Sequence, residues 1–136
     1  MAEQTVLFAC IHNAGRSQMA AALFNASADP SKARALSAGT RPGPAVHPEV
    51  AAVMKEAGID LSSAVPRLLT GELASRATLL ITMGCGEECP YVPGLERRDW
   101  ALPDPKGRPL DEVRSIRDDI RARVDSLVET RGWRKE

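Results

Sequence analysis

The chain has 136 residues, 43% of them hydrophobic and 26% charged, with 18 Lys and Arg balancing 18 Asp and Glu. That length suits one domain spanning 1–136 with a core that folds without disulfide staples. The zero net charge lacks the basic excess of a nucleic-acid or anionic-membrane binder. No apolar stretch approaches a membrane span and no basic-then-apolar leader opens the chain. The expectation is a cytoplasmic protein with neither nucleic acid nor membrane as partner.

Taken in chain order, Thr5–Ala9 is a short apolar run that reads as a buried parallel strand. Helical spacing follows over Ser17–Ser27, with Met19, Ala20, Leu23 and Ala26 on one side. Ala35–Ala38 is a second strand, ended by Gly39. Pro48 suits the first position of a helix over Pro48–Ala57, with a stripe of Val50, Val53, Met54 and Ala57 and with Gly58 at its C-terminal end. Thr70 caps a short helix over Glu72–Ala77. Thr78–Met83 is a third strand and Arg97–Trp100 a short fourth. The last helix starts at Leu110 or Asp111 and repeats Val113, Ile116, Ile120, Val124, Leu127 and Val128 at helical spacing. Its polar face, with pairs such as Arg114–Asp118, reads as solvated surface.

Strands alternating with helices imply an α/β domain: a four-stranded parallel sheet with helices on both faces, in flavodoxin-like order. Such sheets bind ligands beyond the carboxyl ends of their strands. Cys10 stands at that rim after the first strand. Cys85 and Cys89 follow the third strand and reach the same rim.

The loop Cys10-Ile11-His12-Asn13-Ala14-Gly15-Arg16-Ser17 joins a buried strand to a helix start. A loop so placed turns backbone N–H groups toward one point, and the helix N-terminus adds partial positive charge. Such a nest holds a tetrahedral oxyanion, and Arg16 can fork two donors onto its oxygens. The same field favours the thiolate form of Cys10, poised beneath the anion for attack on its central atom. Ser17 can donate to the sulfur and Asn13 can brace the loop. His12 and His47 read as outward-pointing and helix-capping residues, and Trp100 and Trp133 as packing.

Cys85 and Cys89 lie four apart in MGCGEECP. A helical turn there sets their Cα atoms about 6 Å apart, within disulfide range, whereas a strand sets them ~13 Å apart. Gly84 and Gly86 give the backbone freedom to carry a sulfur toward Cys10 and back. Half of a zinc site and a pair of inert thiols are the other readings, although two histidines and no second cysteine pair make a poor zinc set. Asp104 sits between prolines in Leu102-Pro103-Asp104-Pro105, which stiffen the segment and limit where the carboxylate points. A turn-forming Asp is the plainer reading there.

The Cys10-x5-Arg16-Ser17 loop after an N-terminal strand resembles the low-molecular-weight protein tyrosine phosphatase superfamily. HNAGRSQMAAAL, SAGTRPG, ITMGCGEECP and ALPDP resemble its redox branch, the thioredoxin-coupled arsenate reductases. The resemblance covers Val6 to about Val124. It implies an enzyme with no bound cofactor, arsenate as substrate with phosphate or sulfate as mimics, and thioredoxin as partner and electron source. It implies Asp104 as the general acid over an oxyanion held by residues 11–17. It also implies a relay in which Cys85 attacks Cys10 and Cys89 then attacks Cys85, leaving a Cys85–Cys89 disulfide. Here only three residues separate that pair, fewer than is common in those relatives. Some relatives hold a potassium ion with Asn13, Ser37 and a Glu in the first helix. Ala21 stands where that Glu would be, so no metal is expected. A phosphatase, or a non-catalytic oxyanion or redox sensor, fits the same loop.

Overall fold

The computed structural model describes residues 4–83 and 94–135. The elements run β1 (Gln4–Cys10), α1 (Arg16–Ser27), β2 (Ala33–Gly39), α2 (Pro48–Glu56), α3 (Gly71–Ser75), β3 (Leu79–Thr82), β4 (Glu96–Asp99) and α4 (Leu110–Arg131). The four strands form one sheet in the order β2-β1-β3-β4, every pair parallel. This is the expected doubly wound arrangement. β1 and β3 occupy its middle, and Val6–Cys10 and Leu79–Thr82 are buried without a break, as strands covered on both faces must be. β4 has the sequence ERRD and all four residues are exposed. It is an edge strand, and its charges discourage pairing with another chain.

On one face Val6 and Phe8 meet Met19 and Phe24 of α1, Val53 and Met54 of α2, and Ile120 and Val124 of α4. The Phe8 ring lies 5.6 Å from Trp100, and Phe24 lies 5.9 Å from Trp133, so both tryptophans pack as expected. On the other face Leu7, Ala9 and Leu80 are covered by Leu69, Leu73 and Ala74. The Thr70 side chain accepts the Leu73 N–H at 3.0 Å and caps α3, which runs Gly71–Ser75 and is shorter than its pattern suggests. Gly58 takes φ +82° just past α2, and Gly132 takes φ +72° at the end of α4, the left-handed stop that glycine supplies.

Two expectations need correction. Ala26 is exposed while Phe24 is fully buried, because α1 is covered nearly all round in its first half and its buried stripe turns away from Ala26. The basic face of α4 is more than solvated surface. Arg114 does not pair with Asp118: its Nε and Nη2 both donate to Glu56 of α2 at 2.8 Å. Arg117 donates to the Val53 carbonyl at 2.8 Å and to Glu56 at 3.3 Å. The Arg114 hydrogen bonds hold the Glu56 carboxyl below the usual glutamate range. Among the described residues no helix is long and apolar enough to cross a membrane. Cys85 and Cys89 lie outside the described residues.

Candidate active site

The loop from Cys10 to Arg16 leaves the end of β1 and enters α1. Segment 40–47 runs alongside and takes up its carbonyls. Thr40 N–H donates to Cys10 O at 3.2 Å, Arg41 to Ile11 O at 2.8 Å, Gly43 to His12 O at 2.9 Å and His47 to Ala14 O at 2.9 Å. In a trans peptide the C=O of one residue and the N–H of the next point in opposite directions. Four carbonyls drawn to one side therefore turn the N–H groups of Ile11, His12, Asn13 and Gly15 to the other. The Asn13 N–H meets the Cys10 sulfur there at 3.3 Å. The result is a cup of amide donors around one thiol, at the N-terminus of a 12-residue helix.

Cys10 is 2% exposed and its thiol is free. Its Sγ lies 2.8 Å from Ser17 Oγ. Asn13 adopts the left-handed backbone, φ +51°, which Asn tolerates better than most residues. Its Nδ2 donates to Ser17 Oγ at 2.7 Å, and its Oδ1 accepts from Gln18 Nε2 at 3.2 Å and from the Arg67 N–H at 3.0 Å. These buried groups are satisfied, and among the described residues no buried side-chain N or O lacks a partner.

Arg16, 7% exposed, opens α1 and donates from Nη1 to Leu102 O at 3.0 Å. That bond ties the Asp104 segment to the cup. A Cβ on Gly15 would lie 2.8 Å from Pro105 Cγ, so Pro105 seats directly on Gly15. Asp104 is half-buried; its Oδ1 accepts the Lys106 N–H at 3.0 Å and its carbonyl accepts Arg108 Nε at 2.6 Å. It forms a turn, and that turn is docked beside the cup. A cavity of about 620 Å³ adjoins, lined by His12, Pro42, Pro44, Val46, His47 and Lys106. His12 lines it, with Nδ1 3.1 Å from Arg41 O.

The structure thus brings together Cys10, Asn13, Arg16, Ser17 and the Asp104 segment. Gln18 and Arg67 are given no role by sequence, and Gly39 and Pro105 only those of a strand end and a stiffener of the Asp104 segment. Gly39 carried a signal, since a glycine closing a strand beside a loop invites a close approach; Arg67 carried none. Among the described residues no group of three His, Cys, Asp or Glu can hold a metal. Asn13 Oδ1 accepts from two N–H donors, and residue 21 is an alanine.

The family model for low molecular weight phosphotyrosine protein phosphatases matches residues 5–135. A Halobacterium salinarum protein, provisionally named an arsenate reductase, is 39% identical over 126 residues, 90% of this chain and 89% of its own. The Corynebacterium glutamicum thioredoxin-dependent arsenate reductase superposes with a TM-score of 0.82 at 38% identity over 94% of this chain; the chain spans 61% of that one. The YwlE arginine phosphatase of Geobacillus stearothermophilus superposes with a TM-score of 0.81 at 27% identity, over 93% of this chain and 92% of its own. With the family model covering nearly every residue, the chain belongs to the low-molecular-weight phosphotyrosine protein phosphatase family.

Proposed function

We propose that this protein reduces arsenate to arsenite, with Cys10 as nucleophile, Cys85 and Cys89 as a disulfide relay and thioredoxin as the source of electrons. The observation that carries the reading is a buried thiol, bonded by Ser17 and the Asn13 N–H, at the floor of an amide-lined cup. The kinship with arsenate reductases and the cysteine pair after β3 direct that thiol toward redox chemistry.

The chemistry then runs in balanced steps. The cup N–H groups and Arg16 hold the oxyanion. The Cys10 thiolate attacks arsenic; a sulfur–arsenic bond forms, an arsenic–oxygen bond breaks, and Asp104 gives the departing oxygen its proton. Cys85 attacks the Cys10 sulfur. A sulfur–sulfur bond forms, the sulfur–arsenic bond breaks, and its electron pair reduces arsenic from the +5 to the +3 state. Cys89 attacks Cys85 and frees Cys10, and thioredoxin reduces the Cys85–Cys89 disulfide.

A second reading, phosphomonoester hydrolysis through a phospho-cysteine, is favoured by membership of the phosphotyrosine protein phosphatase family and by the cavity beside the cup, which has room for a leaving group. Both readings are tested by measuring arsenite release with thioredoxin, thioredoxin reductase and NADPH beside hydrolysis of para-nitrophenyl phosphate. Sustained arsenite release, abolished by Cys10→Ser, is expected. Phosphate release without arsenite would establish the second reading, and a single oxidation per chain without turnover would make the protein a sensor.

A further inference from the structure

An inorganic oxyanion occupies the cup alone, yet a cavity of about 620 Å³ opens beside it. That volume falls within the range of small-molecule pockets, about 300–1,000 Å³. One wall is the segment that takes up the cup's carbonyls, continued through Pro42, Pro44 and Pro48; the other is the turn after Asp104, with Lys106. The walls meet the cup closely. A Cβ on Gly15 would lie 3.5 Å from His47 Cδ2, and a Cβ on Gly43 would lie 3.9 Å from Ala14 Cβ.

The charge of the lining is one-sided. Arg41 and Lys106 are cations, and none of the lining residues is Asp or Glu. The three prolines have no N–H to offer an anion. Two carboxylates stand close to the turn, and both are engaged with its backbone: Asp104 Oδ1 accepts the Lys106 N–H at 3.0 Å and Glu49 Oε1 accepts the Gly107 N–H at 3.4 Å. Arg108 N–H donates to Pro105 O at 3.1 Å across the turn, and Gly107 takes φ +73° within it. Pro105 in turn seats on Gly15, so the backbone that carries Lys106 is fixed relative to the cup. Arg108 pairs with Glu112 at 3.4 Å, whereas no carboxylate among the described residues pairs with Lys106. Its ammonium is left for the cavity it lines.

In phosphoryl transfer through Cys10 the departing oxygen lies on Asp104, so its organic substituent continues into the space bounded by the same turn. A carboxylate a few bonds further on meets Lys106 in a pocket lined by no acidic residue, and a cation there meets like charge. We propose that this cavity is a charge-selective subsite for phosphate monoesters whose organic part carries a negative charge, with Lys106 as the residue that selects it. The inference rests on the cup holding an oxyanion at residue 10 and deepens the phosphomonoester reading.

Three probes share the phosphate and differ at the far end. 3-Phosphoglycerate ends in a carboxylate, glycerol 3-phosphate replaces it by a hydroxymethyl group, and phosphocholine ends in a quaternary ammonium. Their dissociation constants are measured by calorimetry at low ionic strength, where exposed charges are least screened. Each is referred to inorganic phosphate in the same variant, and Cys10→Ser is kept in the background so that no ester turns over. An exposed charge pair corresponds to up to about fivefold in affinity. With Lys106 in place, 3-phosphoglycerate is expected to bind about three- to fivefold tighter than glycerol 3-phosphate, and phosphocholine more weakly than either. Lys106→Met is expected to remove most of the carboxylate's advantage, and Lys106→Glu to reverse the order so that phosphocholine binds best. Equal binding of 3-phosphoglycerate and glycerol 3-phosphate, an advantage unchanged in Lys106→Met, an order unchanged in Lys106→Glu, or esters that bind without displacing inorganic phosphate would each overturn the proposal. Failure of inorganic phosphate itself to bind would sink the oxyanion cup on which the proposal rests. Phosphate release by the protein with Cys10 intact separates the two claims: with the charge order as stated and no ester hydrolysed, the subsite stands and the phosphomonoester reading fails.

Discussion

Gly39→Ala isolates the close approach on which the cup depends. Gly39 ends β2, and a Cβ built there lies 2.5 Å from Ile11 O, 2.9 Å from Asn13 N and 3.0 Å from Asn13 Cβ. Two of these atoms are backbone and the third is fixed by Asn13's left-handed φ, so none is the end of a side chain that swings aside. An ordinary carbon–oxygen contact is about 3.3 Å, and a carbonyl met at 2.5 Å must retreat by most of an ångström. The carbonyl that retreats belongs to Ile11, which accepts Arg41 N–H at 2.8 Å and sets the direction of the His12 N–H. A displacement of that size in a catalytic constellation costs on the order of 10²-fold in rate. Overpacking of this kind typically costs about 1–3 kcal/mol of stability. For a chain of this length that is a fall of several degrees in Tm, short of unfolding at 25 °C. Arsenite release, calorimetric titration with phosphate and a thermal melt measure the three consequences. The expected pattern is a rate loss far larger than the stability loss accounts for, with weakened phosphate binding. A variant that binds phosphate and turns over like wild type would refute the tight cup, and one that fails only because it is unfolded would refute the claim that the strain is local.

Arg16→Lys is expected to lower kcat/KM by about 10²-fold or more, because a point charge replaces a planar fork that also bonds the Leu102 carbonyl; steady-state kinetics check it. Cys89→Ser is expected to complete one arsenite per chain and stop as a Cys10–Cys85 disulfide, read by peptide mapping after one equivalent of arsenate. A Cys10–Cys89 bond in Cys85→Ser would reverse the assigned order. Arg114 holds the folded Glu56 carboxyl low, so its stabilising contribution is present above the unfolded glutamate range and is lost as pH falls below that range. Urea midpoints at pH 6 and 3.5 should therefore differ less in Glu56→Gln than in wild type.

The fold was legible because its signals are local. Leu79–Thr82 is apolar throughout as a doubly covered strand must be, Thr70 stands three residues before the N–H it caps, and the apolar spacing of α4 matches its buried side from Val113 to Val128. β4 was the faintest strand for a physical reason: an edge strand with four exposed residues needs no apolar alternation. Where a pattern misled, tertiary contacts decided. Ala26 lies on helical period with Met19 and Leu23, yet the packing of α1 leaves it outside.

The site divides along the same line. The amide cup, the thiol and the arginine fall within eight consecutive residues, so chemistry and spacing disclose them together. What orients them comes from afar. The bond from the Arg67 N–H to Asn13 spans 54 residues and the bond from Arg16 to Leu102 O spans 86. Both use a backbone group, which every residue except proline can supply as donor and every residue as acceptor, so no residue type marks them. Segment 40–47 holds the cup's carbonyls in the same anonymous way, through four backbone N–H groups. A sequence therefore displays which atoms react more readily than which atoms aim them. The aiming atoms are accessible to experiment through what lets them approach, above all the missing Cβ of Gly39, where both the loop and residues 67–69 meet the end of β2.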